Sequence, residues 1–563
     1  MEETYVLGID FGTLSGRAAI VRVADGLEKA AAVYEYPNAV MDDVLSVADG
    51  QKLPADFALQ NPRDYIEVLK HAVPEAIAKS MVDPAQIKGI GIDFTSATVI
   101  AAKEDGTPLC DLAKFNNNPH AYVKLWKHHG AQDQADRIVA LAKERGESWL
   151  ARYGGILSAE MLLPKVLETY EKAPEVYADT DVFVDALDWI VWRMTGNLVY
   201  SAGDSGYKRN FQDGAYPSEE FLELLSPGFG KVFSEKMPGQ VLALGAEAGK
   251  LTAHAAAWMG LEPGISVATG NIDAHVTAAA VQAVEPGQLT AILGTSACYI
   301  VSGPQFREVP GMFGCVDGGV VDGLWGFEAG QSSMGDVFAW YLDNALPHSY
   351  VVAAEKAGIS IFELLAEKAR AQEIGEHGLV ALDWFSGNRS ILVDSELSGA
   401  ILGITMTTKP EDIYRALVEA TCFGARTIIE SFTNAGVKID EIVASGGLIK
   451  DPFFMQTLAD ITCVPLSVAT TKQGGALGAA AHGAVAAGFY PTIKEASLAM
   501  GGKVSAAYVP NYDRTARYDE LFNEYRQLHD YFGRGENEVM HRLKDIRRRA
   551  VERKRAAAKK PQE

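Results

Sequence analysis

Two glycine-threonine turns and two aspartates are the residues whose types and spacing could do chemistry. Gly12-Thr13 follows the apolar run Tyr5 to Ile9 and Asp10, and Gly294-Thr295-Ser296 follows the run Leu289 to Leu293. Glycine lets backbone N–H groups come close to phosphate oxygens, so a strand breaking at such a turn can cradle a phosphate. Either turn alone is better read as an ordinary hairpin. The pair, with Asp273 on the glycine-led run Gly270-Asn271-Ile272-Asp273 just ahead of the second, points to phosphoryl transfer from ATP. Asp273 is then the candidate general base, placed to take the proton of an attacking hydroxyl. His275 is the rival base, sharing a face with Asp273 if the run continues as a strand. Asp10 ends the first strand and could hold a magnesium ion, directly or through water, while that ion bridges ATP phosphates. The plainer reading is an Asp that caps its own turn; Arg17 would add positive charge nearby. A third turn, Ser445-Gly446-Gly447, enters a helix near Pro452 and suits a flat purine, although such turns are common.

The elements that must position these groups are readable from periodicity. Tyr5 to Ile9, Ala18 to Val23 and Ala31 to Tyr34 are short apolar runs separated by turn residues, a strand meander. A helical period then runs through Ile66, Leu69, Val73 and Ile77, and Ile87 to Asp93 reads as a buried strand. Strands, helix and strand make a mixed α/β lobe. From about 115 to 240 the pattern loosens into helical segments rich in Trp, Tyr and Lys, which read as insertions where specificity is carried. A second lobe repeats the pattern from about Gly260. In it, Thr408-Lys409-Pro410-Glu411 has the form of a capping box, with Pro410 in the first turn of a helix through Ile413, Leu417, Ala420 and Ile428. The boundaries expected are 1–268, 269–500 and a helical extension at 501–563.

At 563 residues, 48% hydrophobic and 22% charged, the chain has enough apolar residues for more than one core. Five scattered cysteines without CxxC spacing disfavour a disulfide framework or zinc site and suit a reducing cytoplasm. The acidic N-terminus is unlike a signal peptide. Gly474 to Phe489 is too short for a membrane span and reads as a buried alanine-rich helix. A net charge of −22 disfavours nucleic acid as a partner of the protein body. The sign reverses from Arg542 onward, where ten Lys or Arg stand against three Asp or Glu. That tail is expected to be a solvated helix with a frayed end; a homodimer contact or an anionic contact is the other reading.

The runs quoted above, together with Gly475-Ala476-Leu477-Gly478, resemble the FGGY carbohydrate kinases from Val6 to about Met500. Longer segments sharpen the likeness: Asn118-Pro119 through Trp126-Lys127-His128-His129, Arg152-Tyr153-Gly154-Gly155, Glu328-Ala329-Gly330-Gln331-Ser332, and Leu382-Asp383-Trp384-Phe385-Ser386-Gly387-Asn388-Arg389. They are similar to those of family members that phosphorylate L-ribulose in arabinose catabolism. The resemblance implies an α/β fold of two actin-like, ribonuclease H-like lobes, each with a mixed five-stranded sheet flanked by helices, around a central cleft. It also implies a small-molecule sugar near Ser96, Trp126, Lys208, Asp273 and Glu328, magnesium at Asp10, and ATP against Gly12, Thr13, Arg17, Gly294, Thr295, Ser296, Gly446, Gly447 and Lys450. The plainer readings are Lys208 on the surface, Glu328 as a structural carboxylate and Trp126 in the core. Another sugar kinase of the family, or a silent sugar-binding regulator, is the alternative function. A chaperone-like ATPase of the same superfamily would need a peptide-binding domain, and only about 60 residues follow Met500.

Overall fold

The computed structural model describes residues 3–48 and 50–558. The chain divides into two compact units. Unit 1 holds 1–290, 300–328 and 469–504, and unit 2 holds 291–299, 329–468 and 505–563. Segments 269–290, 300–328 and 469–500, expected in the second lobe, thus cluster with the first.

In unit 1 the main sheet runs in the order Glu247–Lys250, Ser266–Ala268, Ile87–Phe94, Tyr5–Phe11, Ser15–Arg22, Glu28–Glu35, with Asn271–Ile272 also pairing Ile87–Phe94. Four of these are strands expected in the first lobe; Ser266–Ala268, read as the opening strand of the second, joins them, and the edge strand at 247–250 and the short pair at 271–272 make seven where five were expected. Tyr5–Phe11 turns at Gly12-Thr13-Leu14 into its antiparallel neighbour and lies parallel to Ile87–Phe94. Side chains alternate across a strand, so Leu7, Ile9 and Phe11 enter one core, with Tyr65, Val68 and Leu69 of the helix Arg63–Ser80. Gly8 and Asp10 then face the other way, toward the helix Gly474–Ala486.

That helix explains why 469–504 belongs to unit 1. A Cβ on Gly8 would come within 1.9 Å of the Ala476 carbonyl oxygen, and one on Gly91 within 1.7 Å of that of Ala479. Only glycine lets helix backbone and strand backbone touch. The expected buried alanine-rich helix is therefore present, with Ala476 to Ala484 all buried. No described helix is long and apolar enough to cross a membrane.

The inserted region holds the expected helices, among them Gln132–Arg145, Leu162–Lys172, Ala186–Thr195 and Ala202–Lys208. It also has a four-stranded sheet ordered Leu59–Gln60, Val123–Lys124, Val99–Ala102, Val182–Asp185, whose two-residue strands carry too little periodicity to read. The Arg152-Tyr153-Gly154-Gly155 run docks against this unit's 306–325 segment: Arg152 stacks between the rings of Phe306 and Trp325 at 4.2 and 4.5 Å.

Unit 2 is organised by the strands Ile439–Ser445 and Leu466–Ala469, parallel over 442–444 and 466–468, and by the buried helix Pro410–Asn434. Pro410 opens that helix as expected, but the carboxylate that caps it is Asp412, whose Oδ2 accepts from the Lys409 N–H at 2.7 Å, one residue beyond the box read in the sequence. The helix Tyr512–Gly533 is part of this core: Tyr525 Oη donates to Asp383 at 2.8 Å, and Trp384, fully buried, meets His529 edge-on. Beyond it, Val539–Ala558 carries the basic tail and is fastened through Arg548 to Glu396 at 2.7 Å. Residues 559–563 of that tail lie outside the described residues.

Candidate active site

Asp10 and Asp93 stand opposite one another on the two central parallel strands of unit 1. Both point to the face occupied by Gly474–Ala486, and the start of that helix, Gly475, lies over them. A Cβ at Gly475 would be 3.1 Å from Asp10 Oδ2 and 3.2 Å from Asp93 Oδ2. Arg17 Nη1 donates to Asp10 Oδ2 at 2.8 Å. Asp93 is fully buried; no N–H or hydroxyl donor of the described residues reaches either of its oxygens, and the side chain it meets is the Asp10 carboxyl. Burial pushes Asp10 above its ordinary value even against the Arg17 charge. Burial, reinforced by the charges of Asp10 and Asp273, pushes Asp93 well up.

Asp273 opens the helix Asp273–Ala280, so the continuation read as strand-like is helical. The turn before it is tightly fixed. A Cβ on Gly270 would strike Leu187, and Asn271 Nδ2 donates to the Gly319 carbonyl at 3.1 Å. The Ala274 N–H donates to Asp273 Oδ1 at 2.7 Å. Burial, then the neighbouring Asp10 charge, raises the Asp273 carboxyl to about 7, a proton affinity suited to a base near neutrality.

His275 does not share Asp273's face, since two residues along a helix turn through about 200°. It joins a buried cluster instead. Lys208 Nζ lies 3.0 and 2.9 Å from the two oxygens of Glu328, and His275 Nε2 lies 3.2 Å from Glu328 Oε2. Burial opposes ionisation of Glu328, but Lys208 and His275 overcome it and hold the carboxyl well below the usual range. Burial lowers His275, against the pull of the Glu328 carboxylate that its Nε2 faces. Lys208 is 2% exposed, which removes the surface reading, and Tyr207 packs on the His275 ring at 4.3 Å.

Trp126 is half-buried, with its indole Nε1 donating to Thr13 Oγ1 at 3.1 Å, so it is neither pure core nor a free platform. Ser96 is half-buried, and its carbonyl accepts from Thr98 Oγ1 at 3.3 Å. Both loops are pinned by a lysine the sequence reading missed: Lys165 Nζ donates to the carbonyls of Ala97 at 2.6 Å and Leu125 at 2.8 Å. Nothing in its local sequence marks it, because its partners are backbone atoms about 40 and 68 residues away. Asp93 was also missed, yet it carried a signal. Gly8-Ile9-Asp10-Phe11 and Gly91-Ile92-Asp93-Phe94 are the same tetrapeptide.

Gly12, Thr13 and Arg17 belong to unit 1, and the other nucleotide candidates belong to unit 2. The Gly294 N–H donates to the Ser296 carbonyl at 3.0 Å, closing the turn, and the helix Gly335–Asn344 starts against it, with Gly335 N–H donating to the Gly294 carbonyl at 3.0 Å. Gly446, at φ +99°, packs on the same strand end: a Cβ there would come within 2.4 Å of the Leu293 carbonyl oxygen. Gly447 and Lys450 form a short turn, exposed at both residues. Within unit 2, then, the 294–296 and 446–450 turns adjoin. Of the Leu382 to Arg389 run, Asp383 and Trp384 are core of this unit.

For a divalent ion, the orphaned buried oxygens of Asp93 beside Asp10, with a glycine where any side chain would fill the space, are a fitting donor set. A second acidic group, Asp185, Asp188 and Asp204, is also buried in unit 1, with the Arg209 guanidinium 3.6 Å from Asp188 as counter-charge.

Residues 5–280 match the N-terminal domain of the FGGY family of carbohydrate kinases, and residues 289–487 match its C-terminal domain. A ribulokinase of Mycolicibacterium smegmatis is 53% identical over 98% of this chain and 97% of its own. A ribulokinase of Geobacillus thermodenitrificans is 47% identical over 97% of each. The crystal structure of a ligand-bound xylulose kinase from Lactobacillus acidophilus superposes with a TM-score of 0.77, covering 94% of this chain and 98% of the other at 19% identity, a likeness of fold. The chain belongs to the FGGY family of carbohydrate kinases.

Proposed function

We propose that the protein transfers the γ-phosphoryl group of ATP to L-ribulose, giving L-ribulose 5-phosphate and ADP. The observation that carries the reaction class is Asp273, a carboxyl at about 7 whose turn is fixed by Gly270 and Asn271 beside the Lys208–Glu328–His275 cluster. The sugar is taken from the full-length relatives named ribulokinase.

In this reading Asp273 accepts the proton of the terminal hydroxyl as its oxygen attacks the γ-phosphorus, and the bond to ADP breaks in line. Lys208 and Glu328 supply a donor and an acceptor fixed against each other, enough to orient a polyol by paired hydrogen bonds. Thr13 and Trp126 are tied together, so the first hairpin is held to the inserted region that meets the sugar. Ser96 sits on a loop that Lys165 fastens. Arg17 sets the orientation of Asp10, and Gly12, Thr13, Arg17 and the 294–296 and 446–450 turns are assigned to ATP. A magnesium ion, when bound, neutralises charge on the phosphates, and Asp10 is the residue assigned to hold it. A reducing cytoplasm fits the five free thiols.

A coupled ADP-release assay over L-ribulose, D-ribulose, D-xylulose, ribitol and glycerol tests the proposal. L-Ribulose is expected to give the largest kcat/KM. Equal or better turnover of D-xylulose or glycerol replaces the substrate, and binding of sugar with no sugar phosphate formed would leave a silent sensor.

A further inference from the structure

The tetrapeptide Gly-Ile-Asp-Phe occurs at 8–11 and again at 91–94, and the sheet sets the two copies against each other residue for residue: Gly8 with Gly91, Ile9 with Ile92, Asp10 with Asp93, Phe11 with Phe94. The two phenylalanines stack at 4.9 Å between centroids on the core face. On the opposite face the two glycines admit the helix Gly474–Ala486, and the two aspartates end up under its first turn. Each residue of the repeat therefore has a matched task in both strands. The one assigned to a metal in the first copy, Asp10, has its equal in the second.

We propose that Asp93 is a second carboxylate of the divalent-cation site that Asp10 opens. Three independent features converge on it. Both Asp93 oxygens are fully buried with no N–H or hydroxyl donor among the described residues and with the Asp10 carboxyl beside them, a state that costs several kcal/mol unless a cation or a shared proton fills it. One oxygen of Asp93 and one of Asp10 lie 3.2 and 3.1 Å from a single point, the position a Cβ of residue 475 would take, and residue 475 is glycine. The only described guanidinium bonded to this group, Arg17, is engaged by Asp10 at 2.8 Å, against the three carboxylates of Asp10, Asp93 and Asp273. Hard divalent ions take oxygen ligands, and magnesium is commonly held by one or two carboxylates with its remaining positions left to water and phosphate. Two matched aspartates on adjacent parallel strands supply that pair. The inference rests on the phosphoryl-transfer reading of this site, and it does not depend on which sugar is used.

The test is titration of the metal-free full-length protein with Mn2+, alone and with ADP, following free Mn2+ by electron paramagnetic resonance. Asp93→Asn keeps the shape and removes the charge; it is expected to weaken Mn2+ binding tenfold or more, as is Asp10→Asn, and to abolish the rise in Tm expected of the wild type with Mn2+. Should Asp93→Asn not fold, Gly475→Ala reads the same space, because its methyl enters between the two carboxylates and is expected to weaken Mn2+ to a similar extent. Mn2+ affinity within twofold of wild type in the variant that folds overturns the proposal. So does a wild type that binds no Mn2+ at millimolar concentration in either condition. The two readings fail separately. A wild type that phosphorylates L-ribulose while Asp93→Asn binds Mn2+ normally overturns only the role of Asp93. A wild type inactive on ribulose whose Mn2+ binding depends on Asp93 overturns only the substrate.

Discussion

Lys208 and Glu328, 120 residues apart in the chain, form a buried two-point ion pair, with Nζ at 3.0 and 2.9 Å from the carboxylate oxygens. Removing one partner leaves the other charge buried. Lys208→Met is expected to cost about 3 kcal/mol in urea unfolding, within the range for breaking a buried pair. The double variant Lys208→Met with Glu328→Gln should recover much of that stability, yet the sugar KM should stay raised in both. Recovery of KM together with stability would make the pair structural only.

Asp273→Asn is expected to lower kcat by about 10² to 10⁴, the usual worth of a positioned general base. Binding of ADP, measured by calorimetry, should be unaltered. An activity loss below tenfold would move the base elsewhere.

Because the Asp273 carboxyl sits at about 7 and must be ionised to accept a proton, log kcat/KM should rise with unit slope below about pH 7 and level off above it. Stability runs the opposite way. The folded protein keeps this proton up to about pH 7, while the unfolded chain releases it near 3.8, so this group's contribution declines as pH rises between those values. Asp273→Asn should flatten that part of the stability profile, checked by denaturation at pH 5 and pH 8.

Gly91→Ala places a methyl 1.7 Å from the Ala479 carbonyl oxygen, a backbone atom that cannot swing aside. Overpacking of this kind typically costs about 1–3 kcal/mol and more where backbone must move. A drop in Tm or loss of soluble protein is expected, and a variant as stable as wild type would show that the helix can lift from the sheet.

Tyr525→Phe removes the hydroxyl that serves Asp383, leaving a buried acceptor short of one donor, at a cost of about 1–3 kcal/mol. The KM for sugar should not change, since the Asp383-Trp384 run is core of unit 2. A shift in KM without a loss of stability would place that run at the substrate site.

The sequence by itself determined what is local. Glycine-threonine turns after apolar strands, Asp10 at a strand end, Asp273 after a fixed turn, and the helices opened by Pro410 and Pro452 are set by backbone sterics and periodicity within a few residues. The repeated Gly-Ile-Asp-Phe was legible too, although only strand pairing shows that Asp93 faces Asp10. Tertiary structure decided everything that depends on distant segments meeting. Lys208 needed Glu328 to be more than a lysine, and Lys165 needed two distant carbonyls. The 474–486 helix joined unit 1 because Gly8 and Gly91 leave room for it, and Trp384 went into the core because Tyr512–Gly533 covers it. Spacing along the chain carries backbone preference over one or two turns; burial and charge pairing are properties of contacts, which exist only once the chain has folded.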